Sequence, residues 1–410
     1  MAAPPATVLP FEQARALVER HAAGVSPCAA EPVDIAHAGG RVLAENLAAD
    51  RDFPPFPRSA RDGYAVRAAD LARVPASLRI IGESKAGAAP ETIPTEVRSG
   101  EAVLIMTGAP VPGGADAVVM VEYTTRQGES VEIQRSVAAG ENVVPRGSEG
   151  RAGAVLLKCG QRLDAAGVAV AASVGKSSLL VHALPRVAIL ATGDEIVDVA
   201  AQPGPHQIRN SNSYSLAAQV RAAGGLPVLL PIAPDEPVQL RRLIEQGLAS
   251  DLLLLAGGVS MGKYDLVEQV LGELGAEFFF TGALIQPGRP VVFGRARDKY
   301  FFGLPGNPVS TMVTFELFAR PMLEALGGAK VTPLSFFPVR LKREIKVRPG
   351  LTRFLPGLLS GQLADLEVEL ASWQGSGDIA GAARANCYVV VPPDRERIAA
   401  GEMVAVWRKV

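Results

Sequence analysis

Four consecutive leucines at 252–255, followed by Gly257 and Gly258, restrict the fold of this chain more than any other feature. A short apolar run bounded by a charged residue and a glycine pair is typical of a strand covered on both faces, as in a parallel sheet. Glycines directly after such a strand let backbone N–H groups approach a bound anion, because no Cβ atom stands in the way. The run therefore predicts a buried parallel strand whose carboxyl end faces a ligand.

Two other apolar runs, at 186–190 and 300–304, also end in loops that contain glycine. Between 185 and 328 such runs alternate with helical patterns, which predicts a doubly wound α/β domain. In open sheets of this kind ligands bind outside the carboxyl ends of the strands, so we expect the loops to meet at one crevice. The loop residues concerned are Thr192, Gly193, Asp194, Glu195, Pro305, Gly306 and Asn307.

The chain divides into segments that differ in their helical and β-strand patterns, which predicts an α/β multidomain protein. Residues 52–146 contain short β-like runs separated by glycine and proline, and we interpret them as an inserted β-rich domain. The flanking segments 1–51 and 147–183 then form the two halves of a helical framing domain. Residues 184–328 carry the α/β pattern, and the β-rich pattern of 329–410 predicts a C-terminal β-barrel. A length of 410 residues with 48% hydrophobic content suits several cores.

Composition excludes several classes of protein. Lys and Arg total 41 against 42 Asp and Glu, so no global basic field is present to bind nucleic acid. No signal-peptide pattern opens the sequence, and no run approaches the ~20 apolar residues that span a bilayer. The cysteines and histidines show no zinc-binding spacing. We expect a soluble cytoplasmic enzyme that binds neither nucleic acid nor membrane.

The loops after the predicted strands combine two kinds of ligand-binding residue. Glycines together with Ser260 suit a phosphate, whereas the carboxylates of Asp194, Glu195 and Asp265 suit Mg²⁺, which prefers oxygen ligands. Each motif alone is commonly only a turn, but their joint occurrence at successive strand ends favours a site. Phosphate together with magnesium indicates phosphoryl or nucleotidyl chemistry.

Longer motifs are spread over essentially the whole chain. They are FPRSARDGYAVRAAD at 56–70, ILATGDEIV at 189–197, LAGGVSMGKYD at 255–265, QPGRP at 286–290, FFGLPGNPVS at 301–310, LTRFL at 351–355 and GSGDIAGAARAN at 375–386. In combination these motifs are highly specific, and the chain resembles the molybdopterin molybdenumtransferases. This family contains the MoeA proteins of bacteria and the gephyrin E domain of animals.

The resemblance implies an L-shaped homodimer of four-domain subunits, with an α/β domain similar to that of the MogA adenylyltransferases. It also implies the reaction. The substrates are adenylylated molybdopterin and molybdate, the cofactor is Mg²⁺, and hydrolysis of the phosphoanhydride releases AMP as molybdate enters the dithiolene. A MogA-type adenylyltransferase and apo molybdoenzymes are the expected protein partners.

The resemblance also implies roles for individual residues, carried over by position. The implied catalytic residues are Asp62, Glu195 and Asp265, with Asp62 presented by the partner subunit. The implied magnesium ligands are Asp194, Glu195 and Asp265. The implied substrate-binding residues are Thr192, Gly193, Gly257, Gly258, Ser260, Pro305, Gly306 and Asn307. The implied molybdate pocket consists of Arg289, Pro290, Ser310, Arg353 and Ser376, whose two arginines and two hydroxyls match a tetrahedral oxyanion.

Three positions depart from the pattern of the family. Gln286 and Arg289 stand where family members usually carry lysine, and Arg61 stands where they carry an uncharged residue. Arginine keeps the charge of lysine but changes its geometry. Gln286 removes one charge from the anion site, and our hypothesis is that Arg61 restores it from across the dimer interface. Full molybdate affinity in an Arg61→Met variant would contradict that hypothesis.

Two other functions remain open from the sequence. One is a non-catalytic molybdopterin-binding or scaffold protein that keeps the fold and the dimer, and Gln286 is the feature that favours it. The other is a molybdopterin adenylyltransferase of the MogA type, which shares the α/β domain. The framing, inserted and C-terminal domains disfavour this second alternative. An assay distinguishes the molybdenumtransferase, which releases AMP, from the adenylyltransferase, which transfers AMP.

Overall fold

A computed structural model describes residues 7–258, 266–362 and 365–408 of the chain. The predicted site residues Ser260 and Asp265 lie outside these ranges. The α-helices are Phe11–Ala23, Ala165–Ser173, Asn212–Ala222, Pro237–Gly247, Leu266–Glu273, Pro308–Thr314, Arg320–Leu326 and Ile379–Arg384, with a π-helical turn at Phe315–Ala319. Short 3₁₀ turns lie at Ile35–His37, Ala68–Leu71, Pro90–Thr92 and Val121–Tyr123. In the described part of the chain no helix is both long and apolar enough to cross a membrane.

The α/β domain contains a six-stranded sheet with the leucine run near its centre. The strands lie in the order Leu226–Leu229, Arg186–Ala191, Leu252–Ala256, Lys299–Leu304, Val292–Ala296 and Glu277–Phe280. The first four are parallel, and the fifth runs antiparallel to both of its neighbours. The strands predicted from the three apolar runs are therefore adjacent in space.

Helices cover both faces of this sheet, as predicted. Leu252 and Leu254 pack into a core shared with the helices at 212–222 and 308–326, whereas Leu253 and Leu255 pack into a second core on the opposite face. The second core is completed by the helices Pro237–Gly247 and Leu266–Glu273. Because successive side chains of a strand point to opposite faces, a strand buried between two helical layers must be apolar at every position.

The inserted segment forms a second six-stranded sheet. Its strands lie in the order Ala117–Met120, Gly63–Val66, Glu101–Ile105, Ala76–Ser84, Ser130–Ile133 and Thr124–Gln127. Buried valine, leucine and isoleucine side chains fill a separate core on each face of this sheet. A short strand pair, Arg58–Ser59 with Val143–Val144, closes the base of the insertion where the chain enters and leaves it.

The C-terminal segment forms the predicted barrel. Five strands close on themselves in the order Thr352–Ser360, Glu367–Leu370, Phe337–Leu341, Met403–Arg408 and Cys387–Val391, and the last pairs with the first. Ile285–Gln286 from the α/β domain pairs in parallel with Thr352–Arg353, so the barrel is joined to the α/β domain by backbone hydrogen bonding. A separate pair is formed by Ile345–Lys346 and Arg397–Ile398.

The framing unit differs from the helical domain expected from the sequence. It pairs Ala30–Asp34 with Ser178–His182 and Leu47–Ala48 with Val155–Leu157, and it adds the one helix Ala165–Ser173. Its core draws on both flanking segments and contains Ala38, Leu43, Leu47, Leu157, Leu163, Ala171, Leu179 and Val181. The domain boundaries given above stay a prediction.

The first helix packs elsewhere, against the core of the α/β domain. Its apolar side chains recur three or four residues apart, at Phe11, Ala14, Val18 and Ala22, and all four join that core. The ring of Phe11 lies 5.1 Å from that of Phe354 in the barrel, between ring centroids. A complete apolar stripe of this kind needs a large apolar partner, which the small framing core cannot supply.

The central strand provides a test of the fold. Leu254→Ala is expected to lower the free energy of unfolding of the α/β domain by about 2–5 kcal/mol, because it leaves a cavity at a fully buried position. Denaturant titration followed by circular dichroism measures the change.

Val238→Ala is the matched control, because the Val238 side chain is 73% exposed on the first turn of its helix. Its effect is expected within about 0.5 kcal/mol. Equal losses in the two variants would contradict the burial of Leu254 in the core that the central strand shares with the helices at 212–222 and 308–326.

Candidate functional site

The central parallel strands end side by side. Ala191 lies opposite Ala256, and Ala256 lies opposite Leu304. The backbone N–H of Thr192 donates to Ala256 O at 3.1 Å, and that of Gly257 donates to Leu304 O at 3.1 Å. The loops that follow the three strands therefore begin at one level of the sheet and open onto one crevice.

A cavity of about 810 Å³ lies at these strand ends. Most of the loop residues predicted from the sequence line it together, although their roles stay predictions. They are Thr192, Gly193, Glu195, Gly257, Gly258, Pro305, Gly306 and Asn307, joined by Pro290 of the predicted molybdate pocket.

Glycine is required where the loops approach each other most closely. A Cβ atom on Gly257 would lie 2.7 Å from the carbonyl oxygen of Thr192, and one on Gly258 would lie 2.6 Å from Thr192 Oγ1. Both glycines also have positive φ, +95° and +66°, which side chains disfavour. Thr192 Oγ1 is buried and has no hydrogen-bond partner within the described residues. The glycine pair thus lets the backbone at 257–258 pack directly against Thr192 at one wall of the cavity.

Acidic side chains gather at the edge formed by the loops at 192–195 and 233–235. Asp194 Oδ1 accepts a hydrogen bond from the backbone N–H of Asp235 at 3.0 Å, and Glu195 and Asp235 line the cavity. Partial loss of hydration at the Asp235 carboxyl, and then the negative charges of Asp194 and Glu195, raise the pKa of this carboxyl, although the residue as a whole is exposed. The three carboxylates therefore repel one another, and a bound cation would relieve that repulsion.

The predicted magnesium site is consistent with this donor chemistry but is not complete in the structure. Carboxylate oxygens are the ligands that Mg²⁺ prefers, and Asp194 and Glu195 follow the strand Arg186–Ala191 as expected. Within residues 7–258, 266–362 and 365–408 no group of three or more acidic, histidine or cysteine side chains is arranged to hold a metal ion. The third predicted ligand, Asp265, lies outside those ranges.

Sequence reasoning missed Asp235. It follows the strand Leu226–Leu229, which lies beside Arg186–Ala191 at the edge of the parallel part of the sheet. Ala233 donates its N–H to Ala191 O at 2.9 Å and accepts one from Gly193 at 3.2 Å, so the two loops run together. The rule that polar residues after parallel strands meet at one edge would have included Asp235 if applied to this strand as well.

A polar segment at 209–212 was also missed, and it forms another part of the cavity wall. Asn212 Nδ2 donates to the carbonyl oxygen of Gly306 at 2.8 Å, which ties this segment to the predicted loop at 305–307. Its Oδ1 is buried without a partner among the described residues. The run Asn210-Ser211-Asn212 before an apolar helical pattern is a helix-start signature, which is why it was not recognised as part of a site.

Arg353 is the most constrained member of the predicted molybdate pocket. Only 6% of its surface is exposed, and its Nε donates to Gln286 Oε1 at 2.7 Å while Nη1 donates to Leu351 O at 3.2 Å. No ion pair to Arg353 occurs among the residues that the structure describes. Burial lowers the pKa of its guanidinium, with no carboxylate acting in the other direction. A buried positive charge without a counter-charge is a suitable site for an anion.

The other pocket residues surround the start of the helix Pro308–Thr314. Asn307 Nδ2 donates to Ser376 Oγ at 2.9 Å, and Val309 N donates to Ser376 O at 3.0 Å, so Ser376 is held at this helix end. Ser310 is buried in the helix, while the side chain of Arg289 is exposed.

The segment that carries Gln286, Arg289 and Pro290 packs closely on the same helix. Gly288 has a φ of +105°, and a Cβ atom there would overlap Cγ2 of Thr314 and lie 3.6 Å from the carbonyl oxygen of Ser310. The close approach therefore depends on glycine. It brings the pocket residues of the α/β domain, the barrel and the 375–386 segment into one neighbourhood.

Several predicted residues are not among the described residues that line the cavity, namely Asp194, Arg289, Ser310, Arg353, Ser376 and Asp62, and of these Asp62 belongs to the inserted domain. Asp62 is exposed there. Its Oδ1 accepts hydrogen bonds from the N–H of Thr107 at 2.6 Å and from Thr107 Oγ1 at 2.8 Å. These two bonds hold the pKa of the Asp62 carboxyl below its usual value, so the side chain is presented as a fixed anion.

Three family models together match most of the chain. They are the MoeA N-terminal region (domain I and II) at residues 9–175, the probable molybdopterin binding domain at 188–325 and the MoeA C-terminal region (domain IV) at 338–408. The protein is thus a multidomain protein of the class built around a probable molybdopterin-binding α/β domain.

Individual relatives agree over the full length. The molybdopterin molybdenumtransferase of Nostoc sp. is 36% identical, with 92% of this chain and 88% of the relative covered. The enzyme of the same name from Bacillus subtilis is 34% identical over 89% of this chain and 86% of the relative. The crystal structure of a molybdopterin biosynthesis MoeA protein from Pyrococcus horikoshii OT3 is 29% identical, covers 98% of this chain and 100% of that one, and superimposes with a TM-score of 0.80. The chain belongs to the molybdopterin molybdenumtransferase (MoeA) family, a family of transferases of molybdenum cofactor biosynthesis.

The acidic edge of the cavity leads to a pH-dependent prediction. Because the folded-state pKa of Asp235 is raised, ionising its carboxyl costs more in the folded than in the unfolded state, and stability is lost as pH rises through the raised pKa. Asp235→Asn removes that loss. We expect the variant to unfold at a higher temperature than wild type at neutral pH, with the difference closing below about pH 3.9, the ordinary aspartate value.

Thermal unfolding at a series of pH values measures the effect. Asp50→Asn, at an exposed carboxyl of the framing unit, is the control. A variant Asp235→Asn that is less stable than wild type at neutral pH would show that the carboxylate makes a favourable contact instead of a repulsive one.

Proposed function

We propose that this protein inserts molybdate into adenylylated molybdopterin, with Mg²⁺-dependent release of AMP, and so forms molybdenum cofactor. Two regions of opposite charge support the proposal. The carboxylates of Asp194, Glu195 and Asp235 gather at one edge of the cavity. The guanidinium of Arg353, which is buried and has no ion pair among the described residues, lies outside the lining of the cavity, at the junction with the barrel. Molybdate, an oxyanion, needs a positive environment, whereas the phosphoanhydride of adenylylated molybdopterin needs carboxylates that hold Mg²⁺.

The phosphate end of the substrate is proposed to bind at the strand ends. The backbone N–H of Gly258 is proposed to reach phosphate oxygens because no Cβ atom intervenes, whereas the N–H of Gly257 donates to Leu304 O and Gly257 contributes through its lack of a side chain. Thr192, Gly193, Ser260 and the loop at 305–307 complete the proposed contacts. The neighbouring segment at 209–212 forms another wall of the cavity.

Asp194, Glu195 and Asp265 are the proposed magnesium ligands. When bound, Mg²⁺ supplies charge neutralisation at the phosphate oxygens and lowers the barrier to cleavage of the phosphoanhydride. The residues of the chain hold the substrate and place the charges around it. Asp62, kept ionised by Thr107, and Glu195 are the proposed acids next to the reacting phosphate.

Molybdate is proposed to bind as a substrate between Arg289, Arg353 and the hydroxyls of Ser310 and Ser376, beside Pro290. Charge-assisted hydrogen bonds from arginine to an oxyanion are roughly twice as strong as neutral ones. The contact between Asn307 and Ser376 links the proposed phosphate loop to the proposed oxyanion pocket. The two substrates would therefore lie next to each other in one continuous site.

We further propose a cytoplasmic homodimer in which Asp62 of one subunit completes the site of the other. The position of Asp62 outside the lining of the cavity of its own chain supports this arrangement. A MogA-type adenylyltransferase that supplies the adenylylated substrate, and apo molybdoenzymes that accept the product, are the proposed protein partners. A non-catalytic molybdopterin-binding paralogue is the alternative, because a neutral Gln286 stands beside Arg353.

Turnover tests the proposal directly. Purified protein incubated with adenylylated molybdopterin, Mg²⁺ and molybdate is expected to release AMP and to reconstitute an apo molybdoenzyme. Omitting molybdate or chelating Mg²⁺ is expected to abolish reconstitution. Tight binding of substrate without AMP release would favour the non-catalytic alternative, and formation of adenylylated molybdopterin from ATP would favour an adenylyltransferase.

Mixed dimers test the proposed origin of Asp62. Asp62→Asn and Glu195→Gln are each expected to lose most activity as homodimers. A heterodimer of the two, purified through two different affinity tags, contains one site with both native acids if Asp62 acts across the dimer. Such a heterodimer is expected to recover about half of the wild-type activity, because a two-fold dimer has two equivalent sites. No recovery would show that Asp62 and Glu195 act within one chain, or that Asp62 has another role.

A further inference from the structure

We infer that Gln286 is a positioning residue that sets the oxyanion affinity of the site through Arg353, a role that rests on the function proposed above. Gln286 itself is not proposed to contact the reacting atoms. A strand pairing fixes Gln286 and Arg353 side by side, a hydrogen bond joins their side chains, and no counter-charge meets Arg353 among the described residues.

The backbone fixes the pair. Ile285–Gln286 pairs in parallel with Thr352–Arg353, and Gln286 lies directly opposite Arg353 in the register. Thr352 N donates to Leu284 O at 3.0 Å at the same junction. Directly opposed residues on paired strands have side chains on the same face. The contact is therefore a property of the junction between the barrel and the α/β domain.

The side-chain contact has a defined polarity. Arginine only donates hydrogen bonds, so the atom of Gln286 that faces Arg353 Nε must be the carbonyl oxygen Oε1, and the two atoms lie 2.7 Å apart. A bond of this length to an ionised donor is charge-assisted and stronger than a neutral one. It holds the plane of the guanidinium in one orientation.

Gln286 orients the guanidinium without neutralising it. The two acceptors recorded for Arg353 are the Gln286 amide and the Leu351 carbonyl, and both are uncharged. The N–H groups of Nη2 are used by neither bond. With only 6% of Arg353 exposed, its charge is poorly screened by water. An anion that reaches Nη2 meets an oriented donor with its full charge.

Other side chains at position 286 would change this balance in predictable directions. Glutamate has the same shape and keeps the acceptor, but its charge would cancel that of Arg353. Methionine has a similar length but offers only a weak acceptor, so the guanidinium would lose its orientation. Lysine would add a positive charge and repel the guanidinium from its present position. Gln286 is thus the choice that gives orientation and net positive charge together.

The test is direct binding of molybdate to the full-length protein, measured by equilibrium dialysis, together with steady-state kinetics. We expect Gln286→Glu to weaken molybdate binding by about tenfold or more, and Gln286→Met by a smaller factor of about three to ten, the range for an ordinary net hydrogen bond, because Gln286 itself is exposed to water. The KM for molybdate is expected to rise in parallel, while kcat and the KM for adenylylated molybdopterin stay within about twofold of wild type. Gln246→Glu, at an exposed residue of the helix Pro237–Gly247, is the matched control.

A double-mutant cycle separates positioning from a general structural effect. In an Arg353→Met background, Gln286→Met is expected to have no further effect on molybdate binding, because its action passes through Arg353. Additive losses, or wild-type binding by Gln286→Glu, would overturn the inference. If molybdate affinity fell in the Gln286 variants as expected but the wild-type protein released no AMP, the proposed function would be overturned and the inference on Gln286 would stand. Turnover by wild type, with unchanged molybdate affinity in the Gln286 variants, would support the proposed function and overturn the inference on Gln286. If wild type bound no molybdate, both the function and the inference would be overturned.

Discussion

The alignment of the central parallel strands at their carboxyl ends is the constraint on which the rest of the site depends. Ala191, Ala256 and Leu304 lie side by side, so the three following loops start at one level. They can do so only because Gly257 and Gly258 have no side chain to collide with Thr192. The leucine run supplies apolar side chains to the cores on both faces of the sheet, so this strand is held between two helical layers. Sheet packing thus determines the position of backbone groups that face the cavity.

The charges of the site are stable only because larger apolar cores offset their cost. Arg353 is buried without a carboxylate partner in the described part of the chain, and the acids at 194, 195 and 235 repel one another. Both features are unfavourable in the unliganded protein. The ring contact between Phe11 and Phe354 joins the barrel to the helix that packs on the α/β core, and Phe354, the neighbour of Arg353, also packs on Trp407 within the barrel. This arrangement is typical of a site whose ligand supplies the missing charges.

Much of the fold follows from local patterns in the sequence, and the departures have physical causes. The leucine run, the alternation that follows it and the period-2 pattern near the C-terminus each specify one element, and the α/β sheet and closed barrel are confirmed. The first helix carries a clear apolar stripe, but no local pattern indicates which core the stripe packs against. It packs against the core of the α/β domain, which is larger than that of the framing unit. Asp235 lines the cavity because its strand lies beside Arg186–Ala191, and Asn212 lines it because the start of its helix packs against the loop at 305–307. Strand order and helix packing are tertiary properties that a local sequence pattern does not encode. The Gln286–Arg353 bond likewise depends on a pairing between distant segments.

Anomalous diffraction at the molybdenum absorption edge, from crystals of this protein soaked with molybdate, shows whether the oxyanion binds beside Arg353. The account predicts one strong peak beside the guanidinium of Arg353, with oxyanion oxygens about 2.7–2.9 Å from its nitrogen atoms and the bond to Gln286 preserved. It also predicts that Ser310 or Ser376 lies within hydrogen-bond distance of the same ion. An occupied molybdate site elsewhere on the protein, with the surroundings of Arg353 empty at the same molybdate concentration, would contradict the account.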